Sequence, residues 1–404
     1  MMRALFAACL FLAGCDFSGD PAPARKSVFR PVASSTNAEV SAFLSKGGGG
    51  KAKLVFVDRT GPENRLNYID FSESSGSPVI HQIPAAVRPS VPVISPDGEW
   101  VVYASGAGSE AGSPLSARSS VWLVRLRPDA KPTLIAADSA CEPRFVQDKA
   151  GGLSIVYTTL APDFGWEGYG KTMKVDVDVT GANPVAGVPE AIIGDGSYTG
   201  GLSWDGRYLV GGGGHVAMLD RQGTRSRPDT LSLNMIQSCN ASISASRLFT
   251  NTMMYLNTSG AHPALNGGKT WGEWQAILIS NGAKQLVKGF MFPASPAVPL
   301  ETEPPSFTMA RWHHCEWSNH PYFAAATLNA DRYFKVAQGY ENSHYQERIY
   351  LVNLKDSTYL EVLRPDKIAY SGRNGDVSGF HWPWLWVEVP SGFQEEADWL
   401  KAPN

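Results

Sequence analysis

The sequence has little cysteine, no excess of charge of one sign, and no long apolar run beyond its N-terminal segment. Its 404 residues include five cysteines, and 35 basic against 38 acidic residues leave a formal net charge of −3. A balance this close to neutral excludes the strongly basic surface that is typical of nucleic-acid-binding proteins. After Cys15 no apolar stretch reaches the roughly 18 residues of a transmembrane helix, so no membrane span is expected there.

Cysteine is too scarce to hold the fold together. With Cys9 and Cys15 assigned to an N-terminal export signal, Cys141, Cys239 and Cys315 remain. An odd number of cysteines in an exported protein allows at most one internal disulfide. A bond between Cys239 and Cys315 is one interpretation, and buried free thiols are the other. Either way the fold must depend on its hydrophobic core.

Motifs for nucleophilic catalysis and for phosphate binding are also missing. Ser203 lies in Gly201-Leu-Ser-Trp-Asp-Gly206, where Asp205 replaces the second glycine of a Gly-x-Ser-x-Gly elbow. The glycine run at 211–214 lacks the Lys-Ser/Thr pair of a phosphate-binding loop. Both segments are therefore predicted to be turns, and no catalytic residue is assigned.

What the chain does have is a clear export signal at its start. Arg3 precedes an apolar run from Ala4 to Leu12, and Leu12-Ala13-Gly14-Cys15 ends the segment. This ending resembles the lipobox of bacterial lipoproteins. The resemblance implies that residues 1–14 are removed and that Cys15 becomes the first mature residue and carries acyl chains. The protein is then expected in the cell envelope, anchored in a membrane by lipid, at the periplasmic face or the cell surface.

Composition divides the rest of the chain into three parts. Residues 15–51 are rich in Ser, Pro, Ala and Gly and are predicted to form a flexible tether, with one or two helical turns over Asn37–Leu44. Residues 52–393 contain recurring apolar segments and are predicted to form the folded domain. Residues 394–404 are expected to be a C-terminal tail.

A repeated unit of four short strands organises the folded domain. Its best copies cover residues 91–136 and 199–233, and each begins with a turn of the Ser-x-Asp-Gly type, which suits a type I turn. Six such units predict an all-β fold, a six-bladed β-propeller of four-stranded antiparallel blades. The first unit lacks its opening strand, so the C-terminal Asp376–Trp382 is predicted to supply it and close the ring. Seven blades are the alternative, because residues 384–389 form a further strand pattern.

The Ser-Pro-Asp-Gly turn followed by an aromatic and apolar strand resembles the TolB-like β-propeller repeat. The whole pattern also resembles a family of predicted lipoproteins expanded in fibre-degrading bacteria. That second resemblance depends on the lipobox and on three segments, which are Gly196–Ser203, Cys239–Ser244 and Glu316–Pro321. It implies an envelope lipoprotein and brings no activity with it.

The densest group of chemically active residues is Trp312–His320. Strand alternation places His314 and Glu316 on one face of an innermost strand, and His381 is expected in the neighbouring blade. Such imidazoles could bind a divalent metal, and the candidate ligands are His313, His314, His320 and His381. Packing of these side chains is the alternative. TolB-like propellers include the oligogalacturonate lyases, which have a histidine-rich manganese site, but only the repeat type and the histidine content match here.

Aromatic side chains are the remaining indication of a ligand. Trp166, Tyr169, Trp271 and Trp317 are candidates for stacking on sugar rings or anchoring a partner protein. The sequence thus predicts a lipid-anchored, non-catalytic binding module for a glycan or an envelope protein, with no cofactor and no nucleic acid. The alternative is a metal-assisted carbohydrate-active enzyme, similar to a polysaccharide lyase, that uses the histidine cluster and a divalent metal.

Overall fold

A computed structural model describes nineteen segments of the chain, and the statements below concern those segments. They are 31–59, 63–74, 76–84, 88–105, 119–137, 139–148, 151–160, 169–181, 183–193, 199–211, 215–218, 231–232, 238–257, 276–281, 285–290, 307–336, 339–343, 348–365 and 379–400. The export signal and Cys15 lie outside these segments, so their assignment stays a prediction.

The described residues form mostly β-structure, because short runs rich in Val, Ile, Tyr and Trp alternate with turn residues. The only helix among them is α1 (Asn37–Ser45), and it is too short to cross a membrane. The strands, in chain order, are β1 (Pro31–Ala33), β2 (Ala52–Asp58), β3 (Arg65–Asp70), β4 (Ile80–Ile83), β5 (Ser90–Ile94), β6 (Trp100–Ser105), β7 (Ser120–Arg125), β8 (Thr133–Ala136), β9 (Ala140–Gln147), β10 (Leu153–Leu160), β11 (Tyr169–Asp178), β12 (Val185–Ala186), β13 (Glu190–Ile193), β14 (Thr199–Leu202), β15 (Tyr208–Gly211), β16 (His215–Met218), β17 (Leu231–Ser232), β18 (Ser238–Ile243), β19 (Thr252–Asn257), β20 (Ala276–Asn281), β21 (Gln285–Phe290), β22 (Phe307–Trp317), β23 (Phe323–Val336), β24 (Gly339–Ser343), β25 (Arg348–Asn353), β26 (Thr358–Pro365) and β27 (Phe380–Val387).

These strands pair into antiparallel sheets, which confirms the predicted all-β, antiparallel architecture. Within the described segments there are six: sheet 1 (β27-β2-β3-β4), sheet 2 (β5 to β8), sheet 3 (β9 to β13), sheet 4 (β14 to β17), sheet 5 (β18 to β21) and sheet 6 (β22 to β26, with β1 on its outer edge). Each sheet begins with a strand that we call its inner strand, and these are β27, β5, β9, β14, β18 and β22. Each inner strand contacts the next in this order, and β22 contacts β27.

The turn that follows the inner strand has the same construction in sheets 2 and 4. The amide of Gly98 donates to the carbonyl of Ser95 at 2.9 Å, and the amide of Gly206 donates to that of Ser203 at 2.8 Å. In the second turn the Ser203 hydroxyl donates to Asp205 at 2.7 Å and accepts from the Tyr208 amide at 3.0 Å. Ser203 is therefore a buried residue of the turn that its motif predicts.

The end of the predicted tether is packed against the folded domain, which corrects the composition-based boundary at residue 51. Strand β1 pairs with β26, and α1 buries Val40, Phe43 and Leu44 in the core. Thr36 caps the helix, since its side chain accepts from the Glu39 amide while Glu39 accepts from the Thr36 amide. The described part of the chain is thus folded from Pro31 onward.

The predicted tail also belongs partly to the core. Trp399 and Leu400 are 7% and 5% exposed, and the Trp399 indole packs edge-on against Trp317 with ring centroids 6.2 Å apart. Residues 394–400 therefore cover apolar surface that the repeat pattern alone leaves unexplained. Composition missed this because two large apolar residues in a short acidic segment give no periodic signal.

Four inner strands contain a β-bulge with a residue of positive φ. These residues are Val91 (φ 46°), Glu142 (φ 51°), His314 (φ 42°) and Trp382 (φ 47°), and each lies where the pairing register of its strand shifts. Bulky residues adopt this conformation rarely, and such residues concentrate at functional sites. Two of the four, Glu142 and His314, carry side chains able to do chemistry.

Candidate functional site

Two buried charged side chains from different inner strands form an ion pair at the candidate site. The guanidinium Nη2 of Arg144 in β9 lies 2.8 Å from Oε1 of Glu316 in β22, and the two side chains are 2% and 4% exposed. Strands β9 and β22 are not neighbours in the order of inner strands, because two others separate them in either direction. The ion pair therefore spans the space that the inner strands enclose.

Glu142 is a second buried carboxyl beside this pair. It is 3% exposed, and burial raises its pKa to about 7, with Glu316 adding to the effect and Arg144 opposing it. Burial also raises the pKa of Glu316, although Arg144 and a hydrogen bond from Ser242 lower it in part. Two carboxyls thus compete for one guanidinium in a poorly solvated place.

Trp384 completes what we call the central cluster, which consists of Glu142, Arg144, Glu316 and Trp384. The guanidinium carbon of Arg144 lies 5.9 Å from the centre of the Trp384 ring, within the range of a cation–π contact. The cluster therefore brings together two carboxyl groups, a guanidinium and an aromatic ring from three inner strands, β9, β22 and β27.

In the central cluster, Oε2 of Glu142, Oε2 of Glu316 and Nε1 of Trp384 have no hydrogen-bond partner among the described residues. Buried polar atoms are nearly always hydrogen-bonded, so unsatisfied acceptors beside an unsatisfied donor indicate a place for a polar ligand or water. The arrangement offers two acceptors and one donor to whatever occupies it.

Next to the central cluster, the two inner strands β22 and β27 bring two predicted histidines together. The rings of His314 and His381 are 4.8 Å apart between centroids, and each lies 5.3 Å from the Trp382 ring. Nη1 of Arg59 lies 3.3 Å from Nε2 of His381. The neighbouring placement of His314 and His381 is the one expected from their positions on successive inner strands.

The other two candidate metal ligands do not complete this pair in the described structure. His320 lies in the turn after β22, 0% exposed, with its ring 4.9 Å from Phe323 and 4.7 Å from Phe393. The side chain of His313 lies outside the described set. Within the described residues no group of three His, Cys, Asp or Glu side chains is placed to hold a metal ion.

Trp317 is the one predicted ligand-binding aromatic whose side chain the structure describes, and it is fully buried. Its indole Nε1 donates to the Pro321 carbonyl at 2.9 Å, and no part of the ring is exposed. The structure therefore places Trp317 in the core, where it offers no stacking face, which corrects that assignment. Trp166, Trp271 and the side chain of Tyr169 lie outside the described residues.

The structure also decides against a disulfide at Cys315. Both Cys141 and Cys315 are buried free thiols, and burial raises their pKa values well above the usual range. The side chain of Cys239, the predicted partner of Cys315, lies outside the described residues. A high thiol pKa together with burial makes both cysteines inert packing residues.

Sequence reasoning did not find three members of the central cluster. Glu142 and Arg144 lie in Cys141-Glu-Pro-Arg144, a segment that reads as a weak copy of the repeat. Trp384 belongs to a row of alternate tryptophans that reads as packing between blades. The available signal was the pair of charged residues within a predicted inner strand, since charged side chains are seldom fully buried unless they are paired.

Comparisons with known proteins add little. No family model and no curated protein matches the chain. Among solved structures, a protein from Lactobacillus plantarum is 10% identical over 84% of this chain and 99% of its own, with a TM-score of 0.42. A functionally unknown protein from Desulfotomaculum acetoxidans is 9% identical over 81% and 98% (TM-score 0.38), and puromycin hydrolase 12% identical over 78% and 44% (TM-score 0.40). Scores this low support no inference about fold or function.

Proposed function

We propose that the six sheets are the blades of a closed six-bladed β-propeller. Two observations support this architecture. The inner strands contact one another in a cycle that ends where it began, from β27 through β22 and back to β27. The C-terminal strand β27 pairs with β2 from Ala52↔Val387 to Asp58↔Phe380, so both ends of the domain contribute to one sheet. In this architecture the central cluster lies on the ring axis.

We further propose that the protein is a lipid-anchored binding module of the cell envelope and that it recognises a glycan at the central cluster. One observation carries the proposal: the cluster presents two carboxylate acceptors and an indole donor that no described residue satisfies. Sugar hydroxyls can donate and accept at the same time, so a sugar can satisfy all three atoms. The lipid anchor follows from the Leu-Ala-Gly-Cys15 motif.

Aromatic surface beside the cluster supports the same ligand class. Trp382 and Trp384 are partly exposed, whereas the charged members of the cluster are not. A planar ring next to buried carboxyl and guanidinium groups suits a sugar, which has apolar ring faces and polar edges. An envelope protein as partner, or a metal-assisted reaction at the histidines, has no comparable support among the described residues.

A binding experiment on the unlipidated full chain tests the proposal. The Cys15→Ser variant removes the acylation site, and a glycan array followed by calorimetric titration would identify and quantify the ligand. We expect Glu316→Gln to weaken binding by about tenfold or more, since a hydrogen bond to a charged group contributes roughly 1.5–3 kcal/mol.

Glu99→Gln is the matched control, because Glu99 is an exposed carboxylate that lies near Lys53. Its affinity should equal that of the parent chain. Equal affinity of the Glu316→Gln variant would move the glycan site elsewhere. Failure of every glycan, together with capture of a purified envelope protein by the same chain, would replace the glycan with a protein partner.

A further inference from the structure

The charges of the central cluster do not balance. Arg144 is its only cation, and it is paired at 2.8 Å with Glu316. Glu142 is buried in the same place, and the charged groups acting on it are Arg144 on its own strand and Glu316 from β22. The adjacent Cys141 thiol is neutral, because burial raises its pKa well above the usual range. With both carboxyls ionised, the cluster carries one excess negative charge.

A buried excess charge must be compensated. An isolated carboxylate away from water is costly, and the protein can remove the cost by binding a proton or a cation. In the free protein the proton does this, which agrees with a Glu142 pKa raised to about 7. A ligand that brings its own positive charge would displace that proton and fill the same place.

The positions of the unsatisfied atoms favour a cation that donates several hydrogen bonds. Oε2 of Glu142 and Oε2 of Glu316 are both acceptors without a partner among the described residues. A primary ammonium has three donors and can therefore serve two carboxylates at once. Trp384 of β27 offers cation–π surface beside the cluster, since its ring centre lies 5.9 Å from the guanidinium carbon of Arg144.

We propose that the glycan bound at the central cluster is an amino sugar with a free, positively charged amino group, which sits between the Glu142 and Glu316 carboxylates. This inference rests on the proposed function and narrows its ligand class. The amino group supplies the second cation that the cluster lacks, and the ring stacks toward Trp382 and Trp384.

A pair of matched probes tests it on the unlipidated full chain. Chitotetraose carries free amino groups, and its fully N-acetylated counterpart has the same rings and linkages without the charge. We expect the free amine to bind at least tenfold more tightly at pH 6. We also expect Glu142→Gln to bring the two affinities within about threefold of each other, with Glu99→Gln keeping the tenfold preference.

Proton release gives a second readout. Calorimetry in two buffers of different ionisation enthalpy should show that amine binding releases a proton in the parent chain and releases less in Glu142→Gln. The comparison of the two probes is made on the parent chain, so it does not depend on whether any variant folds. Equal binding of both probes, or tighter binding of the acetylated one, would overturn the amine inference and leave glycan binding standing. If neither probe binds while another sugar on the array does, the amine inference is likewise overturned and glycan binding stands. An array on which no sugar binds would reject both proposals.

Discussion

The C-terminal part of strand β22 and the turn that follows it are adjacent in sequence but have opposite chemistry. In the strand, Glu316 joins a charged cluster in which one carboxylate oxygen of each glutamate lacks a hydrogen-bond partner among the described residues, and the His314 ring lies 4.8 Å from that of His381. In the turn, His320 is fully buried among Tyr322, Phe323 and Phe393, and its Nδ1 lies 3.2 Å from the Tyr322 amide. The first arrangement is typical of a binding site and the second of a stabilising core.

The contrast shows why residue type alone is a poor guide to function. The run from His313 to His320 reads as one metal-binding cluster, yet His314 in β22 and His320 in the turn after it lie in different environments. Burial lowers the pKa of His320 to about 3, so this imidazole is neutral in the folded protein. Burial raises the pKa of Glu142, in the central cluster, to about 7. The same physical cause therefore predicts opposite dependences of stability on pH.

The largest expected effect is at His320 in acid. Its folded-state pKa of about 3 lies below the ordinary histidine value of 6.5, so the unfolded chain binds more protons between these pH values. Stability should therefore fall as the pH drops from 6.5 towards 3, by up to roughly 5 kcal/mol. His320→Asn, which keeps an acceptor for the Tyr322 amide, should flatten this part of the curve. Urea unfolding at several pH values measures it, and an NMR titration of His320 near its ordinary pKa would contradict the expectation.

The next effect is the loss of one member of the buried ion pair. Glu316→Ala leaves the Arg144 charge without this carboxylate and should cost about 3–5 kcal/mol. Replacing both residues with Met removes the charges together and should restore most of the lost stability. A double-mutant cycle by chemical denaturation separates the pair energy from packing. If the double variant is as unstable as the sum of both single variants, the ion pair is not the reason for the loss.

A smaller effect of opposite sign is expected at Glu142. Its folded-state pKa of about 7 lies above the ordinary glutamate value of 4.5, so the folded chain binds more protons between these pH values. Stability should therefore fall as the pH rises from 4.5 to 7, by roughly 3 kcal/mol at most. Glu142→Gln should remove this slope and leave the acid limb of His320 unchanged. A slope that persists in Glu142→Gln would assign the titration to another group.

Much of the fold follows from local sequence. The strands of sheets 2 and 4 lie where alternating apolar runs and Ser-x-Asp-Gly turns predict them, because turn chemistry and strand period both act over a few residues. The proximity of His314 and His381 also follows from the repeat, since both lie on inner strands of neighbouring units. These features need no knowledge of distant contacts.

The central cluster could not be predicted in the same way. Arg144 and Glu316 are 172 positions apart, and their strands belong to sheets that are not neighbours. Their meeting depends on how all the sheets are arranged and on two bulges, at Glu142 and His314, that re-aim the side chains. A repeat pattern specifies which strands pair, but it does not specify which side chains cross the centre.

The segment that contains α1 has a helix-capping motif that its overall composition does not reveal. Loss of this cap has the smallest expected effect on stability. Thr36 and Glu39 form a capping box on α1. The Phe43 ring of this helix packs against that of Phe323, with the ring centroids 6.1 Å apart, and Phe323 in turn contacts His320. Thr36→Ala should therefore lower stability by about 1 kcal/mol. Hydrogen exchange should rise in α1 and around Phe323, and not at Arg144. Thr180→Ala, which removes an exposed turn hydrogen bond to Asp178, is the control and should leave exchange in α1 unchanged. If Thr36→Ala instead increased exchange equally around His320 and around Glu316, the two regions would unfold as one unit, and the distinction between a stabilising region and a binding region would be lost.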